Sequence, residues 1–155
     1  VGCQTNMLFG EQKRVFSLIP ALKNAEFVRY GVMHRNSYIN APKNLNRYYQ
    51  LKKYPNVFVA GQLSGVEGYV ESISSGLYCA INMANMLNEK PFATFSSATA
   101  IGSLANYLST ASEQNFQPMN SNWAIIKGDL KDKAERSKRA LEEIDSFIKG
   151  EKNGI

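Results

Sequence analysis

The strongest constraint on this chain is a short apolar run followed at once by a glycine-studded turn and a long helical pattern. Val57-Phe58-Val59-Ala60 is continuous and rich in β-formers, which suits a strand buried on both faces of a parallel sheet. Gly61-Gln62-Leu63-Ser64-Gly65-Val66-Glu67-Gly68 places three glycines in eight residues. Tyr69 to Leu87 then reads as one helix, with Val70, Ile73, Leu77, Ala80, Ile81, Ala84 and Leu87 at steps of three and four. That spacing predicts that these residues face the core. Ser72, Ser74, Ser75 and Gly76 keep the first half of the helix slim enough for close approach to a sheet or ligand. Strand, glycine turn and tight helix form the crossover on which nucleotides bind, at the carboxyl end of a strand and the amino end of a helix. The spacing is G-x-x-x-G-x-x-G, neither a dinucleotide fingerprint nor a P-loop, so an ordinary strand-to-helix turn explains it equally well.

Other elements fit an α/β chain. A helix is predicted over Gly10–Ile19, ended by Pro20, and strands over Phe27–Val32 and at Tyr38-Ile39. Ser97 is the expected cap of a helix from Ala98 to Leu108, with Ile101, Leu104, Ala105 and Leu108 inward. Asp129 and Asp132 open a last helix whose expected buried stripe is Leu130, Ala134, Leu141, Ile144 and Ile148. Lys131, Lys133, Arg136, Lys138 and Arg139 lie mainly outside that stripe and, interleaved with acids, read as a solvated face.

The 155 residues are 44% hydrophobic and 20% charged, enough apolar matter for a core and too few charges for wholesale disorder. No apolar stretch reaches membrane-spanning length, so no membrane association is expected and a cytoplasmic location is the default. The opening Val1-Gly2-Cys3-Gln4-Thr5 lacks a basic start and a long apolar run, so no signal peptide is expected, and it reads as a strand entered midway. One histidine and the distant Cys3 and Cys79 offer no metal spacing. Cys79, among Leu77, Ala80 and Ile81, reads as a buried inert thiol. No G-x-S-x-G elbow accompanies His34, which excludes an obvious hydrolase triad.

The net charge of +5 suits a nucleic-acid partner. Lys43, Arg47, Lys52 and Lys53, with Tyr48 and Tyr49 between them, are the candidate RNA contacts, since cations neutralise phosphates and tyrosines stack on bases. The same segment reads equally as a solvated edge guarded by lysines.

Phe58-Val59-Ala60-Gly61-Gln62 followed by Gly65-Val66-Glu67-Gly68-Tyr69-Val70-Glu71-Ser72 resembles the late FAD-binding motif of the folate- and FAD-dependent tRNA (uracil-5-)-methyltransferases. The related glucose-inhibited division protein A family carries a similar pattern. Gly10–Phe16, Phe27–Asn36, Thr99–Leu104 and Phe116–Asn120 resemble the methyltransferase branch in the same order, out to about residue 148. The resemblance implies the C-terminal part of a Rossmann-like FAD-binding domain plus the end of a small insertion domain. Residues 1–42 would end the insertion and return to the FAD domain, and residues 43–155 would be its second part with C-terminal helices. It implies an enzyme that methylates C5 of a T-loop uridine in tRNA, using FAD, methylenetetrahydrofolate and NAD(P)H.

By position, the resemblance implies that Ala60, Gly61, Gln62, Glu67, Gly68 and Tyr69 bind the flavin. Gly61 and Gln62 would lie beside its pyrophosphate and ribityl chain. Gly68 and Tyr69 would lie near the isoalloxazine, where the helix dipole favours an anionic reduced ring. Tyr69 is the one candidate for a catalytic role, and His34, Arg35 and Asn36 would border the pocket. The family's G-x-G-x-x-G turn and its upstream cysteines have no counterpart here, and Cys3 stands where relatives are expected to carry Phe. The chain is therefore expected to be inactive alone and to partner the missing N-terminal part of the same enzyme. Edge strands left without neighbours are expected to make it aggregation-prone. The alternatives are a part of a division-protein-A-type flavoprotein acting on the tRNA wobble uridine, or a stand-alone RNA-binding module.

Overall fold

The computed structural model describes residues 4–33, 36–129 and 132–150. The chain divides into two compact units, Val1–Asn36 and Ser37–Ile155.

In the first unit, α1 spans Phe9–Phe16, shorter than the predicted Gly10–Ile19, and a single 3-10 turn follows at Pro20–Leu22. The predicted strand over Phe27–Val32 is absent. Its alternating side chains serve a ring stack instead: Tyr30 lies 5.3 Å from Phe9, Phe27 5.8 Å from Tyr30 and 6.2 Å from Phe16. Gln12 replaces the missing sheet bonds. Its amide is fully buried, accepts from the Gly31 N–H and donates to the Gly31 and Met7 carbonyls, each at 2.8 Å. One side chain thereby holds three backbone groups that would otherwise need water.

Among the described residues, the second unit is built on four helices: α2 (Ala41–Asn44), α3 (Tyr69–Leu87), α4 (Ala100–Thr110) and α5 (Lys133–Ile148). Each of the last two starts at a residue whose side chain accepts first-turn amides, Thr99 for α4 and Asp132 for α5. Thr99 takes the role expected of Ser97. Aromatic edges knit the core: Tyr78 of α3 meets Tyr49 at 5.8 Å and Phe95 at 5.0 Å, and Phe95 meets Phe147 of α5 at 4.3 Å.

The sheet half of the α/β expectation is not realised among the described residues. Only isolated bridges occur, antiparallel at Leu45–Leu51 and Gln50–Phe58 and parallel at Val66–Met119. Val57–Ala60 is extended but not buried on both faces. One edge pairs with Tyr49–Leu51 through Leu51 N–H to Val57 O and Val59 N–H to Tyr49 O, both 2.9 Å, and Val57 is exposed. Among the described residues the run finds an antiparallel neighbour and no parallel one, so no parallel-sheet strand forms. Tyr38-Ile39 is likewise no strand; Ile39 N–H donates to Leu63 O at 2.9 Å.

Two helix faces also depart from their periodicity. α3 has the predicted Tyr69–Leu87 bounds, yet Val70, Ile73, Leu77, Ala80, Ala84 and Leu87 are exposed. The buried side is Ser75, Tyr78, Cys79 and Asn82. In α5, Ala134, Leu141 and Ile148 are exposed while Arg136, Ala140, Ile144 and Phe147 turn partly inward; Leu130 and Lys131 lie outside the described residues. The ring contact of Phe147 with Phe95 and the Arg136 guanidinium 5.0 Å over Trp123 set that rotation.

Candidate functional site

The glycine turn leaves Val59 and closes as a 3-10 turn over Gly61–Ser64. Gly61, Gly65 and Gly68 have φ of +64°, +91° and +99°, a region that L side chains rarely enter. Each therefore turns the chain where another residue would strain it. Ser64 is buried and its hydroxyl donates to Gly61 O at 2.7 Å. Gly61 N–H donates to Ser75 Oγ at 2.8 Å, and that hydroxyl donates to Ser72 O at 2.8 Å. The small residues of α3 thus bind the turn directly, and Ser75 locks its first glycine.

The far side of the turn is walled by a segment distant in sequence. Glu67 N–H donates to Met119 O at 2.9 Å and Met119 N–H to Gly65 O at 3.0 Å. The Phe116 ring sits where any Gly65 side chain would go, since an added Cβ would lie 2.5 Å from Cζ. At the helix start, Gly68 supplies no side-chain cap, so the first-turn amides of α3 keep their donor capacity. Glu71 folds back over Gly68, and its Oε1 accepts from Ser121 N–H at 3.3 Å.

Of the residues singled out for a cofactor, Ala60, Gly61, Gln62, Glu67, Gly68 and Tyr69 all lie along this one turn and helix start. Ala60, Gly61 and Gln62 are half-buried; Glu67, Gly68 and Tyr69 are exposed, Tyr69 at 93%. The Gln62 amide nitrogen is buried with no hydrogen-bond partner. Asn36 is exposed, and His34 and Arg35 lie outside the described residues.

The four candidate tRNA contacts separate. Lys43, Lys52 and Lys53 are exposed on the segment around α2, with Lys52 Nζ donating to Pro42 O at 2.7 Å and Lys53 Nζ 5.4 Å from the Tyr54 ring. Arg47 is half-buried, its guanidinium 6.0 Å from the Tyr48 ring and its Nε buried without an acceptor. Tyr49 is buried at φ +64°, held by a turn in which Asn46 Oδ1 accepts from Tyr48 and Gln50 N–H. It packs in the core and offers no base a stacking face. Burial raises its hydroxyl pKa, and pushes that of Tyr78 to about 12. Burial also pushes the Cys79 thiol to about 12, the unreactive thiol its neighbours predicted.

Sequence reasoning missed the roles of Asn82 and Glu71, and gave Ser75 only as a small residue that permits close approach. Asn82 is fully buried; its side chain accepts from Ala93 N–H at 2.8 Å and donates to Ala93 O at 3.3 Å, pairing the connector to α3. The signal for the buried side was present: Ser75, Tyr78, Cys79 and Asn82 recur at steps of three and four opposite the apolar stripe.

The profile of the family described as glucose inhibited division protein A matches residues 1–91. Proteins named methylenetetrahydrofolate–tRNA-(uracil-5-)-methyltransferase TrmFO, from Streptococcus pneumoniae strains Taiwan19F-14 and 70585, are each 53% identical over 156 residues, covering 96% of this chain. The chain spans 35% of the length of these curated relatives. Among the described residues, no helix is long and apolar enough to cross a membrane.

Proposed function

Because this chain belongs to the glucose inhibited division protein A family, we propose that it is the C-terminal part of an FAD-dependent tRNA methyltransferase. The whole enzyme would methylate C5 of a T-loop uridine with methylenetetrahydrofolate as one-carbon donor and NAD(P)H as the source of hydride, in the cytoplasm. The observation that carries this reading is the 53% identity, over nearly the whole chain, with relatives bearing that name.

The turn fits a flavin dinucleotide. Positive-φ glycines bring backbone within reach of a ligand, the uncapped first turn of α3 offers amide donors, and the buried Gln62 nitrogen is a donor in want of an acceptor. Ala60, Gly61 and Gln62 would hold the pyrophosphate and ribityl side. Glu67, Gly68 and Tyr69 would border the ring. Bound there, FAD supplies the redox chemistry that reduces the transferred carbon. Tyr69, exposed at the start of α3, has a ring free to cover a flavin or a base. Lys43, Lys52 and Lys53 are the phosphate contacts this reading relies on; Arg47 contributes from within the aromatic cluster.

The rest of the polypeptide would supply the ADP-binding turn and the nucleophile, and would cover the outward face of α3 and the open edge of Val57–Ala60. Val70, Ile73, Leu77 and Leu87 are each more than half exposed, and covering such side chains is worth roughly 1.5–3 kcal/mol apiece. On this reading the first unit is the end of the insertion domain, and the chain alone is inactive.

The test is to express the native gene, read bound flavin from its visible spectrum, and assay unmodified tRNA with labelled methylenetetrahydrofolate. Flavin together with label at the T-loop uridine is the expected result. Modification at the wobble uridine instead would move the protein to the other branch of the family. Salt-sensitive tRNA binding with no flavin would overturn the reading in favour of an RNA-binding module.

A further inference from the structure

Two distant segments meet along the glycine turn. Phe116 packs on Gly65, Met119 pairs with Gly65 and Glu67 through two backbone hydrogen bonds, and Ser121 N–H reaches Glu71 at 3.3 Å. Residues 116–121 therefore run alongside residues 65–71, closed at one end by a ring and at the other by a carboxylate. Glu71 is the third residue of α3, where a carboxylate can fold back towards the residue before the helix. It does so closely: a Cβ on Gly68 would lie 2.1 Å from Oε2 and 2.7 Å from Cδ. Gly68 is thus needed for its backbone conformation and for the room it leaves the Glu71 carboxylate.

We propose that Glu71 is a positioning residue, whose carboxylate latches Ser121 to the start of α3 and so fixes the wall and the amides of the glycine turn. The role as a positioner of a flavin site rests on the function proposed above; the latch itself does not. The acceptor oxygen does the work, and the charge is secondary. Glu71→Gln keeps an oxygen at the same reach, Glu71→Asp keeps the charge but falls short by one methylene, and Glu71→Ala removes both. Gly68→Ala drives the carboxylate from its place and in addition strains the backbone at φ +99°.

The test uses the protein expressed from its native gene, with two readouts: amide hydrogen exchange at Ser121 and the Kd for FAD. Loss of the latch should speed Ser121 exchange about tenfold, leaving the core amide of Ala93 unchanged, and should weaken FAD about tenfold. Asp and Ala variants are expected to show both effects, and Glu71→Gln to stay within about threefold of the parent. Gly68→Ala is expected to impair both readouts at least as much as the Glu71→Ala variant, with Gly68→Ala/Glu71→Ala less than additive. Unchanged Ser121 exchange in Glu71→Asp, or a Gln variant as impaired as the Ala variant, overturns the proposal. If the parent binds no FAD while Glu71→Asp still frees Ser121, the latch stands and the flavin reading falls.

Discussion

Helices α3 and α4 carry the same kind of sequence and meet opposite fates. Both have an apolar stripe at steps of three and four, and they pack against one another. In α4 the stripe is the buried side: Leu104 and Leu108 are 1% exposed and Ala105 2%. In α3 it is the open side, with Val70 at 75% and Ile73 at 73% exposed, while serine, cysteine and asparagine face the core. The small polar side of α3 is inward because it has specific backbone partners, the Gly61 amide for Ser75 and both Ala93 groups for Asn82. Apolar surface has no such directional demand and accepts any cover. Periodicity therefore marks a face to be covered, without saying whether the cover lies within the same compact unit.

The comparison is broken most directly by truncating both stripes. Leu104→Ala should cost about 2–5 kcal/mol in chemical denaturation, as for other buried leucines, whereas Leu77→Ala should fall within about 0.5 kcal/mol in this 155-residue chain. Equal losses would mean that the face of α3 is covered here too. Glycine sharpens the same contrast. A Cβ on Gly102 of α4 would meet the Ser96 carbonyl oxygen at 2.1 Å, and Gly76 of α3 has nothing within 4 Å. Gly102→Ala should cost about 1–3 kcal/mol or more. Gly76→Ala should stabilise by about 0.5–1 kcal/mol, and melting curves of the two variants should move in opposite directions.

The remaining contrast concerns pH. The Cys79 thiol is held at about 12 against a usual 9.0 because burial disfavours the thiolate. The unfolded thiol then loses its proton first, so stability is fully present below about pH 9 and declines as pH rises towards 12. Denaturation of Cys79→Ala across that window should show a shallower decline. An unchanged slope would mean that the inner face of α3 is wet.

Much of the helical part was legible before any coordinates. The bounds of α3 and the inward face of α4 follow from periodicity, and the glycines at 61, 65 and 68 announce a turn that only their backbone freedom allows. The sheet was not legible as it stands. A β-rich run such as Val57–Ala60 states a preference for extended backbone, but a strand exists only beside its neighbours, and here one edge finds only Tyr49–Leu51. Phe27–Val32 shows the same limit, its aromatic residues satisfied by α1 and its Gly31 peptide by Gln12. At the site, Gly61 to Tyr69 was readable as one stretch because it is contiguous. The Met119 pairing and the Glu71–Ser121 contact, 50 residues apart, carry no local signature.

What the sequence determined alone is therefore what depends on neighbours along the chain: the span of α3, the Asp132 start of α5, the positive-φ turn and a buried, inert Cys79. What only the tertiary structure decided is which face of each helix turns inward, which segment walls the turn and which cation lies within the aromatic cluster. The physical reason is range. Backbone propensity and side-chain spacing act within a few residues. Burial and hydrogen-bond satisfaction are settled between segments, where a buried amide such as that of Asn82 must find its partner while an apolar stripe is indifferent to which surface covers it.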